Sequence, residues 1–167
     1  MDNFTFLTIS QLKEMTAISK NVDVSYLEPF IQTSEEMHVL PILGTALTSE
    51  LQGEIEAGTI SGSNETLWVQ YINPCSAWYS FFECSPFIHT KAFNKGLVHQ
   101  FSNNSNSIDF DTFKNYKQSI KDKSTFYRNR LIEYLSDNAE LYPNWRVDTN
   151  DCDQYTKKQW SGGIYLK

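Results

Sequence analysis

The sequence predicts a mainly α protein: a helical bundle of about four to five helices with a kinked second helix, a small β-hairpin near 91-101 and an extended C-terminal arm. Three observations carry this. Apolar residues recur at spacings of three and four along most of the chain, which is the helical period. After Pro86 that period changes, and Asn94-Lys95-Gly96 supplies a tight turn in which glycine accepts positive φ. From Leu141 the helical period stops, yet Tyr142, Trp145, Tyr155, Trp160 and Tyr165 follow, so the end of the chain is an aromatic arm and not a polar tail.

Taken in order, Thr8 followed by Gln11 has the form of a capping box, and Ile9, Leu12 and Met15 give a short amphipathic helix ending near Lys20. Ser25-x-x-Glu28 forms a second box in front of Leu27, Phe30, Ile31 and Met37, with Pro29 tolerated in the first turn and the helix running to about Val39. Pro41 and Gly44 in LPILG then kink the chain before Ala46, Leu47, Leu51 and Ile55 resume the helical spacing. Gly58 to Asn64 is a loop of small polar residues.

The chain is organised around the next stretch. Leu67, Tyr71, Cys75, Tyr79 and Phe82 form one apolar stripe, and Trp68, Ile72, Trp78 and Phe81 extend apolar surface to the other faces, the pattern of a buried helix. The hairpin follows, then a polar loop at Ser102 to Ser107. Asp109 is a good N-cap with Asp111 in the first turn, and Phe113, Tyr116, Ile120, Tyr127, Leu131 and Tyr134 mark the longest helix, to about Asn138. Its Lys114, Lys117, Lys121, Lys123, Arg128 and Arg130, mixed with Asp122 and Glu133, read as a solvated face.

A chain of 167 residues supports one core, giving a helical domain over 1-141 and the arm over 142-167. The net charge of −6 is uneven: residues 1–70 hold ten Asp/Glu and two Lys, whereas 71–167 hold twelve Lys/Arg and ten Asp/Glu. An acidic balance argues against a surface built to grip phosphates, and the asymmetry suits head-to-tail contacts between copies. Cys75, Cys84 and Cys152 have neither disulfide-framework nor zinc spacing and are expected to be reduced. MDNFTFLTIS lacks the basic start and apolar run of a signal peptide, and polar residues interrupt the Leu67 to His89 run, so a soluble, unsecreted protein is expected.

No catalytic constellation is present: the chain has no GxSxG, P-loop, GxGxxG or HExxH motif, so no catalytic, cofactor or metal residues are assigned and an enzyme is not expected. Glu35 and His38 could make half a metal site, but no further ligands follow, and the pair reads as helix surface. His89 and His99 flank the turn and could face each other across the hairpin. Cys75 and Cys84 read as small core residues, and Trp68, Trp78, Phe81 and Phe82 as core packing in preference to a cofactor pocket. The turn Asn94, Lys95, Gly96 and the arm residues Trp145, Tyr155, Trp160, Ile164 and Tyr165 are the candidate protein contacts, with Ile164 to Leu166 able to add a strand to a sheet edge.

Three stretches together resemble a known family: NVDVSYLEPFIQTSEEMHVLPILGTALTSEL, YINPCSAWYSFFECSPFIHTKAFNKGLV and FKNYKQSIKDKSTFYRNRLIEYLSDN. In that order they are similar to the small head-tail connector (adaptor) proteins of tailed bacteriophages, in the version found in phages and prophages of Bacteroidetes, including crAss-like phages. The resemblance covers roughly 21–144, its most specific pieces being LPILGTAL and PFIHTKAFNKGLV, and the ending Gly162-Gly163-Ile164-Tyr165 is also similar. It implies a non-enzymatic virion protein of the phage neck, assembled in the host bacterial cytoplasm as a homo-oligomeric ring, usually of twelve copies, which joins the portal to further neck or tail proteins. DNA passes through such a ring without specific binding, and acidic residues such as Glu50, Glu54 and Glu56 lining the lumen would repel phosphates. No membrane contact is implied. The alternative is a small soluble helical module that binds or regulates one protein partner.

Overall fold

The computed structural model describes residues 4–93, 96–99 and 110–145. It is mainly helical. Helix α1 (Ile9–Met15) opens on the expected capping box, with the Gln11 N–H donating to Thr8 Oγ1 at 3.3 Å and the Thr8 N–H donating to Gln11 Oε1 at 2.9 Å. It ends at Met15 and not near Lys20, because Thr16 is extended and turns its hydroxyl onto the Leu12 carbonyl at 2.6 Å.

Helix α2 (Val24–Ser34) is capped by Asp23 and not by Ser25; one carboxylate oxygen of Asp23 accepts both the N–H and the hydroxyl of Ser25 at 3.0 Å. Starting at Val24 places Pro29 inside the helix, beyond the first turn where a missing N–H is harmless. A π-helical turn, Glu35–Val39, joins α2 to α3 (Leu40–Glu56). The kink expected in LPILG falls at Gly44, whose φ of 73° and ψ of 164° break an otherwise helical run, while Pro41 sits harmlessly in the first turn of α3. Helix α3 ends in a Schellman arrangement at Gly58, with the Thr59 N–H reaching the Glu54 carbonyl at 2.9 Å and the Gly58 N–H reaching that of Ile55 at 3.1 Å.

The following loop is shorter than expected, because α4 (Gly62–Leu67) already begins at Gly62. Asn64 drives this: its amide donates to Glu50 at 3.2 Å and to Glu54 at 3.0 Å, drawing the first turn of α4 onto α3. A second π-helical turn, Trp68–Ile72, leads into α5 (Asn73–His89). Of the expected stripe Leu67, Cys75 and Tyr79 are buried, but the extra residue in that turn brings Ile72 inward in place of Tyr71, and Phe82 is half-buried. Two four-residue strands, β1 (Thr90–Phe93) and β2 (Gly96–His99), pair antiparallel with Thr90 opposite His99, so His89 has no cross-strand place. Helix α6 (Phe110–Asp137) and a short 3-10 turn, Ala139–Leu141, complete the described chain; Asp109 lies outside the described residues.

Two apolar clusters hold the bundle. One joins Phe6, Leu43, Leu47, Ile72, Cys75, Leu131 and Tyr142; the other joins Leu7, Leu12, Leu27, Ile31, Phe81 and Ile120. Helix α5 contributes to both, which makes it the centre of the molecule. Among the described residues no helix is long and apolar enough to cross a membrane.

Candidate functional site

Different sides of α5 meet different chemistry. Ser76 and Ser80 face α2 and its π-helical turn; Trp78 and Phe82, two residues on in each case, face α6. Two residues turn a helix by about 200°, so α2 and α6 lie on opposite sides of α5.

On the α2 side lies a buried polar seam built around Glu35. Its position continues the apolar stripe Leu27, Ile31, with Val39 beyond it, so the helical period carries a carboxylate into the core, where it is 3% exposed. There Oε1 accepts the Ser76 hydroxyl at 2.6 Å and the Leu7 N–H at 3.1 Å, and Oε2 accepts the Phe6 N–H at 2.9 Å. Burial outweighs these three donors and pushes the Glu35 carboxyl up to about 7. Ser34 and Ser80 share a hydroxyl contact of 2.6 Å one turn further along α5. Asn73, one turn before Ser76, is fully buried, and neither polar atom of its amide has a hydrogen-bond partner among the described residues.

The seam holds the N-terminal segment. Phe6 is gripped from two sides, because its N–H meets Glu35 while its carbonyl accepts the Trp68 indole N–H at 3.0 Å. From sequence alone Glu35 reads as helix surface and the N-terminal segment has no packing role, yet the structure buries the acid against that segment. The available signal was the four-residue spacing Leu27, Ile31, Glu35, Val39, which places the acid on the buried stripe.

His38 does not join Glu35 in a half metal site. Its ring stacks on Tyr79 with centroids 3.9 Å apart, and its Nε2 lies 2.9 Å from Glu83 Oε1. The described residues contain no group of three His, Cys, Asp or Glu arranged for a metal. Cys75 and Cys84 are buried thiols, each pushed up to about 12 by desolvation, which leaves them poor nucleophiles.

On the α6 side the basic residues do more than meet solvent. Lys117 lies 4.9 Å from the centroid of Phe82, Lys123 lies 4.6 Å from Trp78, and Arg130 lies 4.8 Å from Tyr71. These three contacts ascend α6 as they descend from α5 into the π-helical turn before it, the order expected of antiparallel segments. Beneath them Trp78 stacks on Tyr127 and Tyr71 on Tyr134. The Ser124 hydroxyl ties the helices directly, reaching the Trp78 carbonyl at 3.0 Å. Trp78 and Phe82 are therefore occupied by packing against α6, Phe81 by the second core cluster and Trp68 by Phe6.

Of the expected contact residues, Trp145 is turned inward: its indole N–H donates to the Ile42 carbonyl at 2.8 Å, and the ring packs on the first core cluster. Tyr142, placed by sequence at the start of the arm, is core as well, 1% exposed with its hydroxyl donating to the Ser63 carbonyl at 2.8 Å. The packed helical body thus extends past residue 141 to Trp145. Gly96 opens β2, whereas Asn94, Lys95, Tyr155, Trp160, Ile164, Tyr165 and Cys152 lie outside the described residues. Glu50 and Glu54 both hold Asn64, and Glu50 also accepts the Asn144 amide at 2.7 Å, so the pair braces α3 against α4 and the C-terminal segment. Glu56 is exposed and accepts from Gln52 at 2.8 Å.

The fold and site define a small, mainly helical protein whose polar core clasps its own N-terminal segment and whose basic helix covers an aromatic central one. The chain belongs to the family described as a family of unknown function, DUF6712, which matches residues 39–155. Comparison with curated proteins and with solved structures gave no match.

Proposed function

We propose that this chain is a structural virion protein: a subunit of a ring at the neck of a tailed phage, joining the portal to downstream neck or tail proteins and leaving a passage for DNA. The reading is carried by the ordered similarity of three stretches to head-tail connectors, of which LPILGTAL coincides with the α3 kink at Gly44. The described polar groups fit it. Glu35, the buried serines, His38 and Glu83 bond to one another or to the backbone, which suits a rigid building block. In this reading the turn at 94–96 and the segment after Trp145 are the elements that reach a neighbour or the portal. Glu54 and Glu56 face the passage, where negative charge lowers affinity for DNA. A homo-oligomer of connector type is the implied assembly state.

The test is to locate the chain in purified virions by antibody labelling in the electron microscope, with light scattering of the isolated protein alone and mixed with portal. Label at the neck and a multi-subunit assembly with portal are expected. Absence from the neck together with a monomer in the presence of portal would overturn the proposal.

A further inference from the structure

From Asn21 to Thr90 the chain contains nine Asp/Glu and no Lys or Arg, so helices α2 to α5 are formally acidic throughout. Helix α6 carries six Lys/Arg against four Asp/Glu. Because α2 and α6 lie on opposite sides of α5, their outer faces look away from each other, and among the described residues Glu28 and Glu36 form no ion pair with Lys114 or Lys121.

Each face has a regular row. Along α2 and its π-helical turn, Glu28, Gln32 and Glu36 follow at four-residue spacing; both acids are exposed, Gln32 donates to Glu36 Oε1 at 2.9 Å, and Met37 beside them is 57% exposed. Along α6, Lys114 and Lys121 are exposed, and neither has an ion-pair partner among the described residues. At 1.5 Å per residue the two acids stand about 12 Å apart and the two lysines about 10.5 Å apart, so the rows match in pitch.

We propose that the outer face of α6 on one copy docks on the outer face of α2 on a second copy, with Lys114 and Lys121 set against Glu28 and Glu36. Complementary faces on opposite sides of one protomer form a heterologous contact, which repeats until it closes as a ring or runs on as a filament. The charges set register and partner choice more than affinity, so reversing them on one face opposes like charges, while reversing both faces on separate copies restores the match. The inference rests on the ring reading and deepens it by naming the two surfaces.

The experiment is sedimentation velocity at low ionic strength on the full chain, the variant Glu28→Lys/Glu36→Lys, the variant Lys114→Glu/Lys121→Glu, and their equimolar mixture, with circular dichroism confirming that both fold. The wild-type chain is expected to assemble, each variant to need at least about tenfold more protein, and the mixture to recover wild-type behaviour. A wild-type chain that stays monomeric, variants that assemble like wild type, or a mixture that does not recover would each overturn the surface assignment. Neck labelling of virions is independent of these outcomes: label at the neck with a failed charge cycle sinks the surfaces alone, and a successful cycle without neck label sinks the neck assignment alone.

Discussion

The Glu35 carboxylate accepts the Ser76 hydroxyl at 2.6 Å across the α2–α5 interface, and the same group holds the N–H groups of Phe6 and Leu7. One acid thereby links three segments that are far apart in sequence. A buried carboxyl in this role makes stability depend on pH.

Its folded value, about 7, lies above the ordinary 4.5 because burial disfavours the charged form. A carboxyl raised on folding favours the fold most when protonated. Its contribution is therefore full below about 4.5 and is lost as pH rises to and beyond 7. A shift of that size corresponds to about 3 kcal/mol. Urea melts of the wild type and Glu35→Gln from about pH 5 to about pH 8 should show the stability difference between them moving against the wild type as pH rises. A difference that stays constant with pH would show that Glu35 does not titrate in the core.

Asn73 is the buried amide whose polar atoms have no partner among the described residues. An unsatisfied buried group costs about 1–3 kcal/mol, and an apolar side chain of similar volume removes that penalty. Asn73→Leu should raise the denaturation midpoint. A clear loss of stability would mean instead that the amide holds a buried water.

Tyr142 fills the first core cluster and ends in hydroxyl contacts to Ser63 at 2.8 Å and Tyr134 at 3.1 Å. Tyr142→Phe keeps the ring and should cost about 1 kcal/mol, whereas Tyr142→Ala should cost about 3–5 kcal/mol. The same logic applies to truncation: a chain ending at residue 145 should fold, and one ending at residue 141 should melt well below it. Equal melting of the two truncations would remove Tyr142 and Trp145 from the core.

Gly44 has φ of 73° with open space where a Cβ would stand, so its constraint is the backbone conformation and not a clash. Gly44→Ala should cost about 1–3 kcal/mol, and Gly44→Val more, because this extended positive-φ conformation is essentially restricted to glycine and β-branching aggravates the strain. If Gly44→Ala melts like the wild type, the α3 kink does not depend on that conformation.

The elements governed by short-range chemistry were legible in the sequence. The capping box at Thr8, the break at LPILG, the buried central helix and the long α6 all follow from residues within one or two turns of each other. The π-helical turns were not, because a single extra residue shifts the apolar period without breaking it; hence the change from Tyr71 to Ile72 in the buried stripe. The N-terminal cap of α2 was misplaced for a similar reason: Asp23 and Ser25 both suit a cap, and only the actual turn selects the first.

The sequence by itself determined the mainly helical class, the aromatic centre and the uneven distribution of charge, since helical period and composition are local properties. Tertiary structure decided how they are used. It turned Glu35 from helix surface into a core clasp, drew Tyr142 and Trp145 out of the expected arm and into the body, and seated Lys117, Lys123 and Arg130 over rings of α5 and the π-helical turn before it. Each of these joins residues tens of positions apart, and no local periodicity encodes which distant partner a side chain will meet when the helices pack.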